Sequence, residues 1–140
     1  MAKIIIDTNV FISIINDEAD SSASRELLDK VDSGELKALV STITLAELAA
    51  GYYQVDDEKG WMQTLQHIIS SYNYTLIELD YKVADKAGKI RAETGLSLPD
   101  SIIVASGLIG LAEYIVTFDK ETRKASKYIK SVTPIEIRVS

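Results

Sequence analysis

The sequence has no cysteine and one histidine, His67. The first absence excludes disulfides and thiolate metal sites, and the second excludes a metal centre built from two histidines of one chain. A basic surplus is missing as well. Fifteen Lys and Arg stand against 21 Asp and Glu, for a formal net charge of −6. Nucleic-acid binders are usually basic, so the sum alone argues against one. The argument loses its force if the acids gather where a divalent cation neutralises them. Linkers rich in Pro, Gly or Ser, internal repeats and low-complexity tracts are missing too. The longest uncharged apolar segment, 101–112, is too short to span a bilayer. The start carries only Lys3 as a basic residue, and Asp7 interrupts its apolar stretch. A secretory signal is therefore not expected, and a cytoplasmic location without membrane contact is.

What is present fits one globular domain over 1–140, with 46% hydrophobic and 26% charged residues. The spacing predicts strands at 4–6, 36–40, 75–79 and 114–118, with a last strand at 134–139. It predicts helices at 8–16, 19–31, 42–53, 58–71, 81–93, 99–111 and 120–127. Strands that alternate with helices and read as nearly continuous apolar runs indicate a parallel sheet covered on both faces. Such sheets bind ligands beyond the carboxyl ends of their strands.

Four acids stand at helix starts, and at least three of them can reach that edge. Asp7 ends the first strand, and Asp119 takes the same place after the fourth. Glu47 lies just beyond the second strand, in the first turns of the next helix. Asp100 follows Pro99 in the first turn of its helix. Each has a plain structural use when taken singly. Asp7 and Asp119 suit N-caps, Asp100 complements a helix dipole, and Glu47 completes a capping box opened by Thr44. Independent caps, however, have no reason to share one sheet edge. Grouped carboxylates raise one another's pKa unless a cation is present. Oxygen donors without Cys or His suit Mg²⁺ or Mn²⁺, ions that activate water and stabilise a phosphodiester transition state.

The acids sit in IIIDTNVFI, STITLAELAAG, LSLPDSIIVASGL and IVTFDKE. In this order the four stretches resemble the PIN-domain family, and more narrowly the ribonuclease toxins of VapBC-type toxin–antitoxin pairs. The resemblance spans nearly the whole chain. It implies a three-layer α/β/α fold with a five-stranded parallel sheet of order 3-2-1-4-5. It also implies metal-dependent endoribonuclease activity, with Asp7, Glu47, Asp100 and Asp119 as catalytic acids on Mg²⁺ or Mn²⁺. Asn9 and Thr117 match supporting polar positions of the family. An RNA substrate, a homodimer and an antitoxin protein partner are implied on the same grounds.

Other features carry two readings each. Lys120, Arg123, Lys124, Lys127 and Lys130 follow Asp119. With helical spacing they form a face that contacts RNA phosphates, or simply a solvated basic face. Trp61, Tyr52, Tyr53, Tyr72 and Tyr74 suit the core or an oligomer contact better than base stacking. The lone His67 suits a structural or exposed place. Two other functions use a similar acidic edge. A phosphatase of the aspartyl-nucleophile type would need Asp where Asn9 stands. A receiver-like signalling domain would use Asp80 after the third strand. A PIN-like module that binds without catalysing is the third alternative.

Overall fold

Ile4, Ile5 and Ile6 are all fully buried because their strand, β1 (Ala2–Ile6), is the middle of the sheet. The computed structural model describes residues 2–137. β1 pairs in parallel with β2 (Leu36–Ser41) on one side and with β4 (Tyr114–Val116) on the other. β3 (Tyr74–Ile77) continues beyond β2, and β5 (Lys130–Val132) beyond β4. The order is β3-β2-β1-β4-β5, all parallel, as expected.

Successive residues of a strand point to opposite faces, and the core divides accordingly. Ile4 and Ile6 join Val10, Phe11, Leu27, Leu48, Trp61 and Ile68 on one face. That layer is built from α1 (Thr8–Ile15), α2 (Ser21–Asp32), α3 (Thr42–Gln54) and α4 (Glu58–Ser70). Ile5 joins Val83, Ala87, Ile90, Ile103 and Ile115 on the other, under α5 (Tyr81–Thr94) and α6 (Leu98–Ile109). Trp61 and Tyr74 are core residues, whereas Tyr72 is almost fully exposed. None of the helices among the described residues is long and apolar enough to cross a membrane.

Two expectations are corrected near the carboxyl end. The last strand is Lys130–Val132 and not 134–139. Pro134 has no N–H to give to a ladder. Thr133 and Glu136 instead form a capping box that opens a 3-10 turn at Pro134–Glu136. Residues 138 and 139 of the expected strand lie outside the described residues. The basic segment after Asp119 is a 3-10 helix, Lys120–Ala125, rather than an α-helix over 120–127. With three residues per turn, its cations do not form one face. Lys124 pairs with Glu121, and Lys127 with Glu93. Lys120 and Arg123 remain beside Asp119 and line the same hollow.

Candidate active site at the carboxyl edge of the sheet

In the order β3-β2-β1-β4-β5 the chain reverses its direction of travel between β1 and β4, so the carboxyl ends of these two strands flank the switch point. Asp7 stands there. Its backbone N–H extends the ladder by bonding Val116 O at 2.9 Å. Its side chain turns in beneath the first turn of α1 and is only 5% exposed.

Asp7 is both a cap and a buried acid. Its Oδ1 accepts from Thr8 N at 2.8 Å, the N-cap bond of α1. Its Oδ2 accepts from Thr117 Oγ1 at 2.6 Å and from Asn9 Nδ2 at 3.1 Å. Those bonds favour the carboxylate, yet burial outweighs them. Desolvation, reinforced by the charges of Asp100 and Glu47, pushes the Asp7 pKa up to about 6. The site thus holds an anion at a place that disfavours one, with two more acids near enough to add to the strain.

Those two acids arrive from different elements. Asp100 is the third residue of α6. Ser97 caps that helix, with Oγ accepting from Asp100 N at 3.2 Å, and Pro99 occupies its first turn. Glu47 lies in the second turn of α3. The capping box expected from Thr44 and Glu47 does not form, because α3 starts at Thr42 and is capped by Ser41. Glu47 instead accepts from Thr8 Oγ1 at 2.7 Å, and Thr44 Oγ1 lies 2.9 Å from the same Thr8 hydroxyl. Sequence reasoning gave Thr8 no role and Thr44 only that of a cap. Nothing local marks them, since a threonine beside an acid reads equally well as a cap.

Asp119 is joined to the group through Thr117. The Thr117 hydroxyl donates to Asp7 and accepts from Asp119 N at 3.0 Å and from Asn9 Nδ2 at 3.1 Å. Its one proton and two lone pairs are fully used. Asn9 is locked in turn, with Oδ1 accepting from Phe118 N at 3.2 Å. The Asp119 carboxylate caps the 3-10 helix through Glu121 N at 2.9 Å. Glu47 and Asp100 thus stand near enough to Asp7 for their charges to raise its pKa. Asp119, Lys120 and Arg123 form an adjoining hollow, and Lys124 is spent on Glu121.

Among the described residues no three acids are close enough to grip one ion by themselves. The donor chemistry still fits a hard cation. Mg²⁺ keeps most of its waters and needs only one or two carboxylates from the protein, and Asp7 is a buried anion that a cation would relieve. Asp80, the phosphoacceptor position of the signalling alternative, caps α5 through Val83 N at 2.9 Å. His67 pairs with Asp32 on the surface, far in sequence from any of these acids.

Thr117→Val is expected to cost about 1–3 kcal/mol of stability, since the Asp7 carboxylate loses a charge-assisted bond. It should also move the Asp7 titration further upward, because the Thr117 hydroxyl lowers that pKa. Carboxyl ¹³C resonances followed against pH would measure the shift. An unmoved titration would show that the hydroxyl does not donate to Asp7.

Solved structures show the same architecture. A toxin–antitoxin complex from Klebsiella pneumoniae superposes with a TM-score of 0.72 at 23% identity, covering 98% of this chain and 100% of that one. FitAcB from Neisseria gonorrhoeae gives 0.71 at 21% identity, over 96% and 99%. VapBC2 from Rickettsia felis, bound to a DNA fragment from its promoter, gives 0.69 at 19% identity, over 94% and 98%. Among curated proteins none matches. The family model for the PIN domain matches residues 4–128, a span that holds all four acids, and the chain belongs to the PIN-domain family.

Proposed function

We propose that this protein is a Mg²⁺- or Mn²⁺-dependent endoribonuclease, the toxin of a toxin–antitoxin pair acting in the cytoplasm. One observation carries the reading. Asp7 is buried at the switch point of a parallel sheet, pushed up to about 6, with Asp100 and Glu47 near enough for their charges to act on it, Thr8 N–H fixing its Oδ1, and Thr117 and Asn9 fixing its Oδ2. An isolated helix cap has no use for two further acids in that position.

In this reading Asp7, Glu47 and Asp100 would hold the cation, partly through its waters, and Asp119 would act from the adjoining hollow, through water or through its field. When bound, the cation supplies charge stabilisation at the phosphodiester and activation of the attacking water. The chain's own residues do the rest. Thr117 and Asn9 keep the Asp7 carboxylate in one orientation. Lys120 and Arg123, exposed beside Asp119, take the flanking phosphates of the RNA.

The partners follow from two apolar surfaces. An antitoxin suits the groove between α1, α2 and α4, lined by Phe11, Ile14, Leu28 and Ile68, where the buried Tyr74 hydroxyl has no hydrogen-bond partner among the described residues. A homodimer suits the side of α5 and α6 that exposes Tyr81, Ile109 and Leu111. A second reading, a PIN domain that binds without catalysing, draws on the lack of a three-acid grip among the described residues. The two differ in cation binding, which only the nuclease requires.

The test is cleavage of a panel of structured RNAs with Mg²⁺, Mn²⁺ or EDTA, by wild type and Asp100→Asn purified in parallel. The expected result is metal-dependent cutting by the wild type alone. Equal cutting by both proteins would remove Asp100 from the site. No cutting together with no heat of cation binding would establish the binding module.

A further inference from the structure

We infer that Thr8 is the positioning residue of the acid cluster, setting where the Glu47 carboxylate stands relative to Asp7 so that one cation can meet both. The inference rests on the nuclease reading above and adds a residue to its machinery.

Thr8 touches both acids at once. Its backbone N–H donates to Asp7 Oδ1 at 2.8 Å, and its hydroxyl lies 2.7 Å from Glu47 Oε1. One residue, buried at the first position of α1, therefore ties the two carboxylates together. The direction of the bonds is fixed by counting protons. A carboxylate only accepts, so the single Thr8 proton goes to Glu47. The bond between Thr8 and Thr44, 2.9 Å long, must then carry the proton of Thr44. Among the described residues the Thr44 hydroxyl bonds Thr8 alone, and only Thr8 bonds the Glu47 carboxylate.

The bond from Thr8 answers a need of Glu47. This side chain is long, flexible and on an exposed stretch of α3. Left alone it would spread over many rotamers and would have to be ordered whenever a cation arrived. The Thr8 hydroxyl takes Oε1 and restrains the carboxylate before binding, as groups behind metal ligands commonly do. A simpler role, a strut between α1 and α3 through the two threonines, uses the same atoms and makes a different forecast.

The experiment measures Mn²⁺ affinity by titration calorimetry for wild type, Thr8→Val, Thr8→Ser and Thr44→Val, with RNA cleavage alongside. Thr8→Val should bind Mn²⁺ about 10- to 100-fold more weakly. Thr8→Ser should restore wild-type affinity, since it keeps the hydroxyl. Thr44→Val should stay close to wild type, because the bond from Thr8 to Glu47 survives. Should Thr8→Val fail to fold, Thr8→Ala removes the same hydroxyl. Equal affinity in wild type and Thr8→Val overturns the inference, and so does an equal loss in Thr8→Val and Thr44→Val, the mark of a strut. A wild type that neither binds Mn²⁺ nor cuts RNA overturns the nuclease reading and this inference together. A wild type that binds and cuts while Thr8→Val matches it overturns this inference alone.

Discussion

Asp7→Asn should cleave RNA roughly a thousandfold more slowly than the wild type, about 4 kcal/mol of lost transition-state stabilisation, and yet melt higher without metal at neutral pH. The two effects share one cause. Asp7 titrates at about 6 in the fold against 3.8 unperturbed. A raised acid binds its proton more tightly in the folded state, so its stabilising contribution is complete below about pH 4. It is lost as pH rises through about 6. The difference is about 3 kcal/mol at 1.36 kcal/mol per unit. Asparagine carries no charge and escapes this loss. It also offers one acceptor where Thr8 N, Thr117 and Asn9 require two oxygens, which costs about 1–2 kcal/mol. The net gain near pH 7.5 is about 1 kcal/mol, or roughly 3 °C. Thermal melts of both proteins from pH 4 to 8 would check it. Their difference should grow with pH in favour of the asparagine variant. Saturating Mg²⁺ should raise the melting temperature of the wild type alone. A difference that does not change with pH would mean that Asp7 is not the strained acid described here.

Ile5→Ala should remove about 3–4 kcal/mol of stability, some 10 °C, by emptying the centre of the α5–α6 side of the sheet. Ile5 is fully buried on the central strand, and its Cγ2 fills the notch left by Gly107 of α6. A Cβ on Gly107 would stand 2.7 Å from that methyl and 3.3 Å from Ile129 Cδ1. Gly107→Ala in the wild type should therefore cost about 1–2 kcal/mol. Crowding of about 1–3 kcal/mol exceeds the roughly 1 kcal/mol that alanine gains in a helix. In the Ile5→Ala background the methyl is gone and the same substitution should stabilise by about 1 kcal/mol. A coupling of about 2 kcal/mol in a double-mutant cycle is expected from urea unfolding. Additive effects would contradict direct contact between the helix and the strand at this point.

The order of strands and helices was legible in the sequence because it rests on short-range periodicity. The isoleucine run of β1, the stripe through Trp61, Leu65 and Ile68, and the Gly95 stop after α5 each announce an element locally. The position of Asp7 at the carboxyl end of a buried strand was legible for the same reason. The last strand was misplaced because β5 is three residues long, too short to show a period, while the apolar residues after Pro134 imitate one. The basic segment after Asp119 was misread because spacings of three and four do not separate an α-helix from a 3-10 helix.

The sequence by itself determined the kind of chemistry available. With no cysteine and one histidine, a cation would have oxygen donors to bind, the carboxylates foremost, and the order of the acids along the chain pointed to the sheet edge. The tertiary structure alone decided which of them meet and in what state. Glu47 is tied to Thr8 across 39 residues, Thr117 to Asp7 across 110, and Asp119 stands apart as a cap. The rise of Asp7 to about 6 belongs to the fold as well, since desolvation depends on what the whole chain packs over a carboxyl group and not on its neighbours in sequence.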